Sequence, residues 1–176
     1  ERSGEKIIVA SAEDLPFKNN SFDLVCAFDV IEHIENDTRS VEEMKRVCNN
    51  GGSIFITVPA YMILWSHHDV VNQHKRRYIT SEIESLFNTK DDSGTELYKT
   101  YFNSILLPPI LLFRLLSRII PDSLIRKGAG SDFTIVNNES LINKLLYQLF
   151  SLEKFLLKHI TFPFGSSILY AWKKSL

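Results

Sequence analysis

At 176 residues, with 20 lysines and arginines against 21 acids and 44% hydrophobic residues, the chain has the make-up of one ordinary globular domain, which excludes disorder, a collagen-like or repeat protein and a multidomain enzyme. Two cysteines, Cys26 and Cys48, both inside apolar stretches, exclude a disulfide scaffold and point to a reducing, cytoplasmic setting. The charge is uneven, net −5 over residues 1–48, −2 over 49–98 and +6 over 99–176, and the start at Glu1, without a methionine or a signal-like core, reads as a piece of something longer.

Ile7 to Ala10 is a short β-branched run that predicts a buried strand, followed by a loop that Pro16 keeps irregular. Phe22 to Phe28 predicts a second strand, so nearly continuous in apolar residues that cover on both faces is expected. A helix is predicted from Asp37 or Thr38, with Val41, Met44 and Val47 on one face and a Ser40–Glu43 capping box, ended by Asn49-Asn50-Gly51-Gly52 as a C-cap. Ser53 to Val58 is a third strand closed by Pro59, which completes a βαβ unit.

Tyr61 to Tyr78 is a long connection without helical or strand period, as lids and binding loops are. A short helix from Thr80 or Ser81 to Phe87 follows, then a strand over Glu96 to Phe102, a helix over Leu111 to Ile120, a longer helix over Asn138 to Ile160 and a last strand over Ser167 to Trp172. The apolar stretch 105–120 carries two arginines and falls short of the roughly 20 apolar residues a bilayer span needs. Peripheral membrane contact through 105–127, by way of Arg114, Arg118, Arg126 and Lys127, stays open beside a plain roofing role. The basic cluster Lys75, Arg76 and Arg77 has no interleaved aromatic ladder, so no nucleic-acid partner is expected.

Four pieces stand in order: Ser11-Ala12-Glu13-Asp14-Leu15-Pro16-Phe17, Ser21-Phe22-Asp23-Leu24-Val25, Val30-Ile31-Glu32-His33, and Lys45-Arg46-Val47 with Gly51-Gly52. With them the chain resembles class I S-adenosylmethionine-dependent methyltransferases, closest to the small-molecule group of type 11/12. The resemblance covers 7–87 well and 97–176 loosely. It implies an α/β, partial Rossmann-like fold with strands in the family order 3-2-1-4-5-7-6 and the C-terminal strand antiparallel. On that plan Ile7–Ala10 is strand three, Phe22–Phe28 strand four and Ser53–Val58 strand five. Strands one and two, with the acidic Gly-rich motif, are missing, so 1–176 reads as one partial domain: sheet core and cofactor side at 7–60, substrate loop at 61–80, helical cover at 105–160, last strand at 167–174. Strand three is then left about 14 Å from strand four with nothing to pair with, strand four keeps an unpaired hydrophobic edge, and the fragment alone is expected to bind S-adenosylmethionine poorly and to be inactive.

The resemblance implies cofactor contacts from the loop after strand three, at Ser11, the Ala12 backbone N–H and Glu13, and from Phe28 and Asp29 at the carboxyl edge of strand four. A solvated turn is the other reading of Glu13 and Asp14. Asp29, Glu32 and His33 form D-x-x-E-H; three ligand-type residues on one short segment are a weak metal signal, and no metal is expected. His33 is expected to face the transferred methyl as base or orienter, an imidazole pKa of ~6.5 suiting the task. His74 is the second catalytic candidate. Around it Trp65, His68, Asp69, Arg77 and Tyr78 are acceptor-side candidates, with Asp69 orienting His74 and Arg77 pairing with a substrate phosphate or carboxylate; for Lys75 and Arg76 a solvated role is preferred. Leu64-Trp65-Ser66, Asp69 and His74 through Tyr78 also resemble members of that small-molecule group found among surface-glycan and lipid-linked sugar genes, so the resemblance implies methyl transfer to a small acceptor, with lipid-linked and glycan-related ones as candidates. The alternative is a non-catalytic, truncated methyltransferase-like partner that completes its sheet with another chain.

Overall fold

The computed structural model describes residues 7–88, 94–117 and 141–176. Strands β1 (Phe22–Phe28), β2 (Cys48–Pro59), β3 (Gly94–Phe102) and β4 (Ser167–Lys174) form one sheet in the order β1-β2-β4-β3. β1 runs parallel to β2, from Leu24 opposite Ser53 to Phe28 opposite Thr57, whereas β4 is antiparallel to both β2 and β3. That is the 4-5-7-6 end of the sheet the resemblance implies, reversed last strand included.

Ile7 to Ala10 forms no strand. Ile7 and Val9 are 91% and 98% exposed, because a strand's backbone is satisfied only by a ladder and none of the described strands pairs with these residues. β1 is likewise not covered on both faces: Phe22, Leu24 and Phe28 are exposed, at an edge where no described strand pairs.

Helix α1 (Asp37–Val47) starts where Asn36 Oδ1 accepts the Arg39 N–H at 3.0 Å. Ser40 therefore lies inside the helix and forms no capping box. Glu43 instead reaches out of α1, its carboxylate accepting the Leu15 N–H at 2.8 Å and two Arg46 N–H groups at 2.8 Å each. Arg46 also donates to the Leu15 and Phe17 carbonyls, so the pair nails the 11–20 loop onto the helix. The Arg46 bonds hold the Glu43 carboxyl down at about 2, from an ordinary 4.5. A depressed carboxylate contributes stability that is full above its unfolded value and is lost as pH falls from about 4.5 toward 2. Thermal unfolding of wild type is thus expected to fall steeply across that range, and Glu43→Gln to start lower and fall less; parallel curves would show that the pair does not carry acid sensitivity.

Asn49 to Gly52 is not a C-cap. β2 begins directly after α1, and these residues make a bulge across which the register jumps from Phe22 opposite Cys48 to Leu24 opposite Ser53. Gly51 has φ +77°, and a Cβ on Gly52 would meet the Asn49 and Asp23 carbonyl oxygens at 2.9 and 3.0 Å. Beyond it β2 buries Ile54, Ile56 and Val58 on the face that α1 and α3 (Thr80–Phe87) cover, with Ile168, Tyr170 and Trp172 of β4 completing that core.

Helix α4 spans Leu107–Ser117, earlier than expected, with Pro108 and Pro109 in the first turn, where a missing N–H costs no hydrogen bond. α5 is Leu141–Leu156, and its buried Glu153 accepts the Ser104 N–H at 3.0 Å just before α4. Arg118, Arg126, Lys127 and Asn138 lie outside the described residues. No described helix is long and apolar enough to cross a membrane.

Candidate functional site

Beyond the last residue of β1 the chain turns sharply. Asp29 takes φ +52°, and its N–H donates to the Thr57 carbonyl at 3.0 Å and to Thr57 Oγ1 at 3.2 Å. A 3₁₀ turn over Ile31–His33 then brings Ile31 and Glu32 fully into the interior and leaves the His33 side chain 36% exposed. Glu32 is the residue whose environment sequence reasoning missed. Both carboxylate oxygens are buried, and neither has a hydrogen-bond partner among the described residues. Burial, with the Asp29 charge adding to it, pushes the Glu32 carboxyl up to about 7 against the pull of its own backbone N–H and of Arg77.

The 61–78 connection folds over this turn. It holds a 3₁₀ turn at Met62–Leu64 and a short helix, α2 (His67–Val71), so it is less irregular than its sequence suggests. Asp69 closes the N-terminus of α2 by accepting the Ser66 N–H at 2.8 Å. The Lys75 N–H donates to the Glu32 carbonyl at 2.7 Å, and Arg76 pairs with Asp37 at 2.7 Å while donating to the Glu35 carbonyl. Arg76 is thus part of the clamp and not a solvated charge. Tyr78 donates its hydroxyl to Asp37 at 2.9 Å, and its burial beside that carboxylate raises its pKa strongly.

At the centre, Asp69 is fully buried and Arg77 is 7% exposed. Arg77 Nε and Nη2 donate to the two Asp69 oxygens at 2.8 and 3.1 Å, and Nη1 donates to the Ala60 carbonyl at 3.1 Å. Its fork is therefore filled from within the chain and turned away from solvent. Burial alone raises the Asp69 carboxyl, but the Arg77 bonds outweigh it and hold the group below its ordinary value. The same carboxylate lies 2.9 Å from His74 Nδ1, which fixes the ring and leaves Nε2 facing away from Asp69. The His33 ring meets His74 edge-on at 4.6 Å, and His68 stands 6.1 Å from His74 on another side. Two histidines from separate segments, one backed by a buried carboxylate, thus share one spot at the carboxyl edge of β1. Glu32, His33 and His74 each present a ligand atom within 4.8 Å of the others. Trp65 is half-buried on the same loop.

In the loop before β1, Ser11 Oγ accepts the Glu13 N–H at 3.2 Å, and Glu13 Oε1 accepts the Asn36 N–H at 3.1 Å. These two side chains therefore build the turn that leads into Leu15. Next to it lies a cleft of about 330 Å³, lined by Ala12, Leu15, Phe17, Leu24, Val25 and Val30 among others. Phe28 and Asp29, both exposed, sit at the end of β1.

A family described as methyltransferase domain matches residues 1–56. An uncharacterized protein of Methanocaldococcus jannaschii is 45% identical over 58 residues, 33% of this chain and 28% of that protein. Among solved structures, a chain from the complex of the Haloferax volcanii Trm112 methyltransferase activator superposes with a TM-score of 0.51 at 15% identity, over 96% of this chain and 60% of that one. An S-adenosylmethionine-dependent methyltransferase of Thermotoga maritima gives 0.50 at 13% identity, over 98% and 65%. The chain thus spans little more than a quarter of the curated relative and about three fifths of these structures, and at such identities the structures establish the fold.

Proposed function

We propose that the chain belongs to a class I methyltransferase and transfers a methyl group from S-adenosylmethionine to a small acceptor, of which lipid-linked and glycan-related ones are the candidates; the methyltransferase-domain match of residues 1–56 and the sheet order support this reading. The observation that carries the reading is the meeting of His33 and His74 at the carboxyl edge of β1, where ligands of open α/β sheets collect. Residues of the cleft side fit the adenine end of the cofactor: apolar Ala12, Leu15 and Val30 offer a ring a dry wall, and Ser11 and Glu13 hold the turn that presents Ala12. When bound, S-adenosylmethionine supplies an electrophilic methyl on a sulfonium. The protein's own work is alignment, exclusion of water and removal of one proton from the acceptor. His33 and His74 are assigned that proton, Asp69 the orientation of His74, and Arg77 the neutralisation of Asp69. Trp65 and His68 belong to the wall around the acceptor, Tyr78 to the core beneath it with its hydroxyl on Asp37, and Phe28 and Asp29 to the cofactor side. The cytoplasmic setting and peripheral membrane contact through 105–127 belong to the same reading.

A second reading has its own support. β1 leaves Phe22, Leu24 and Phe28 exposed along an edge with no described partner, which suits a non-catalytic protein that completes its sheet with another chain. Calorimetric titration of S-adenosylmethionine into the protein made from its whole reading frame separates the two. Binding is expected under the first reading; no heat at millimolar cofactor overturns it and leaves the second.

A further inference from the structure

We propose that the outward face of α5, continued by the exposed apolar residues up to Phe164, is a docking surface for an anionic lipid bilayer. The inner side of the helix is fixed. Buried Glu153 accepts the Ser104 and Ile105 N–H groups at 3.0 and 3.4 Å, and the Leu157 carbonyl accepts the Tyr98 hydroxyl of β3 at 3.0 Å. Through α5 and the turn that follows it, Lys144, Tyr147, Ser151, Lys154, Phe155 and Lys158 then fall in one stripe about 100° wide on the side away from Glu153, and all six are exposed. Tyr147 is 74% and Phe155 58% open to solvent. An ordinary surface helix turns a polar face of mixed charge outward. This one turns out lysines and aromatic rings, and the one acid between residues 141 and 166 is the buried Glu153.

Charge selects the partner. Three lysines on the stripe, within a segment of net charge +6 over 99–176, complement an anionic surface. Rings and lysine stems side by side on a convex helix suit the headgroup level of a bilayer, where the rings enter the acyl boundary and the ammonium groups stay with the phosphates. The apolar exposure also runs on past the helix, to Ile160 and Phe164. That stretch is tied to the carboxyl edge of the sheet, where the Tyr101 N–H donates to the Phe162 carbonyl at 3.2 Å and the Ala60 N–H to the Ser166 carbonyl at 2.9 Å. Directly after Ala60 the 61–78 connection adds Met62 and Ile63, both exposed. The surface thus leads from α5 toward the edge that carries His33 and His74, as uptake of an acceptor from the bilayer requires. β3, to which α5 is bound, is the opposite edge of the sheet from β1, so a strand added beside β1 leaves this face uncovered. The surface lies outside the 105–127 stretch and stands whether or not the chain transfers methyl groups.

The test is flotation of the protein made from its whole reading frame with vesicles of phosphatidylcholine, and of phosphatidylcholine mixed with anionic phosphatidylglycerol. Binding to the mixed vesicles and not to the neutral ones is expected. Lys144→Glu, Lys154→Glu and Lys158→Glu together should weaken it by on the order of 100-fold, each basic residue near such a surface contributing roughly fivefold, and Tyr147→Ser with Phe155→Ser by about tenfold or more. No flotation of wild type with the mixed vesicles overturns the surface, as does binding that the lysine set leaves unchanged, whatever Arg114→Glu with Arg118→Glu does to it. Self-association in sedimentation that the aromatic pair abolishes, with vesicle binding intact, overturns it in favour of a protein contact. If the variants fail to fold, acetylation of wild-type lysines read by mass spectrometry decides. Mixed vesicles should shield Lys144, Lys154 and Lys158 and leave the exposed Lys18 reactive, and equal labelling with and without vesicles refutes the proposal. None of these readouts involves S-adenosylmethionine, so this result and the methyl-transfer reading fail separately.

Discussion

Asp69→Ala is expected to cost about 3–5 kcal/mol of folding free energy in chemical denaturation, the range for breaking a buried ion pair from one side. The loss comes from what the substitution leaves behind. Arg77, 7% exposed, has Nε and Nη2 aimed at Asp69 and, among the described residues, its guanidinium has the Ala60 carbonyl as its other bonded partner, so without Asp69 its charge sits in the interior with no carboxylate bonded to it. The same change frees the Ser66 N–H at the start of α2 and lets the His74 ring turn. Asp69→Leu combined with Arg77→Met removes both charges together and should cost less than Asp69→Leu alone, because burying two matched apolar side chains avoids the unpaired charge. A loss below about 1 kcal/mol for Asp69→Ala would mean the pair behaves as a solvent-exposed one.

The strand-helix-strand unit from Phe22 to Pro59 was readable because apolar runs of strand length alternate with a period-3.6 stretch. The placing of β4 between β2 and β3 was not readable that way: it is a long-range choice, and the family resemblance supplied it. Ile7–Ala10 shows the opposite failure. Its residues have the composition of a strand, but β-propensity only records fit to a pleated surface, and here no surface is offered. Gly51-Gly52 led to a C-cap, but a C-cap and a bulge ask for the same residues, and only the register against β1 decides between them. Asp69 and Arg77 were singled out for the right neighbourhood. Their mutual burial was hidden because charges in a long polar loop read as solvated until α2 turns the one toward the other. Glu32 was legible only as part of D-x-x-E-H; that it faces inward follows from the 3₁₀ turn that also buries Ile31, a geometry no local pattern signals.

His74→Ala in the intact protein is expected to lower kcat by roughly 10²–10⁴-fold while changing the affinity for S-adenosylmethionine by less than about threefold. His74 belongs to the connection after β2, its ring is held by Asp69 on one nitrogen and met edge-on by His33, and neither histidine is among the residues that line the apolar cleft assigned to adenine. Deleting it empties the acceptor side and leaves Ala12, Leu15 and Val30 untouched. With the imidazole taking the acceptor's proton, the deficit falls on the step that forms the new bond and not on cofactor binding. His33→Ala should show the same split to a smaller degree, since no carboxylate hydrogen bond fixes its ring and its side chain is 36% exposed. Equal losses in turnover and in cofactor affinity would make the pair a structural clasp between the turn after β1 and the 61–78 connection, with the chemistry located elsewhere.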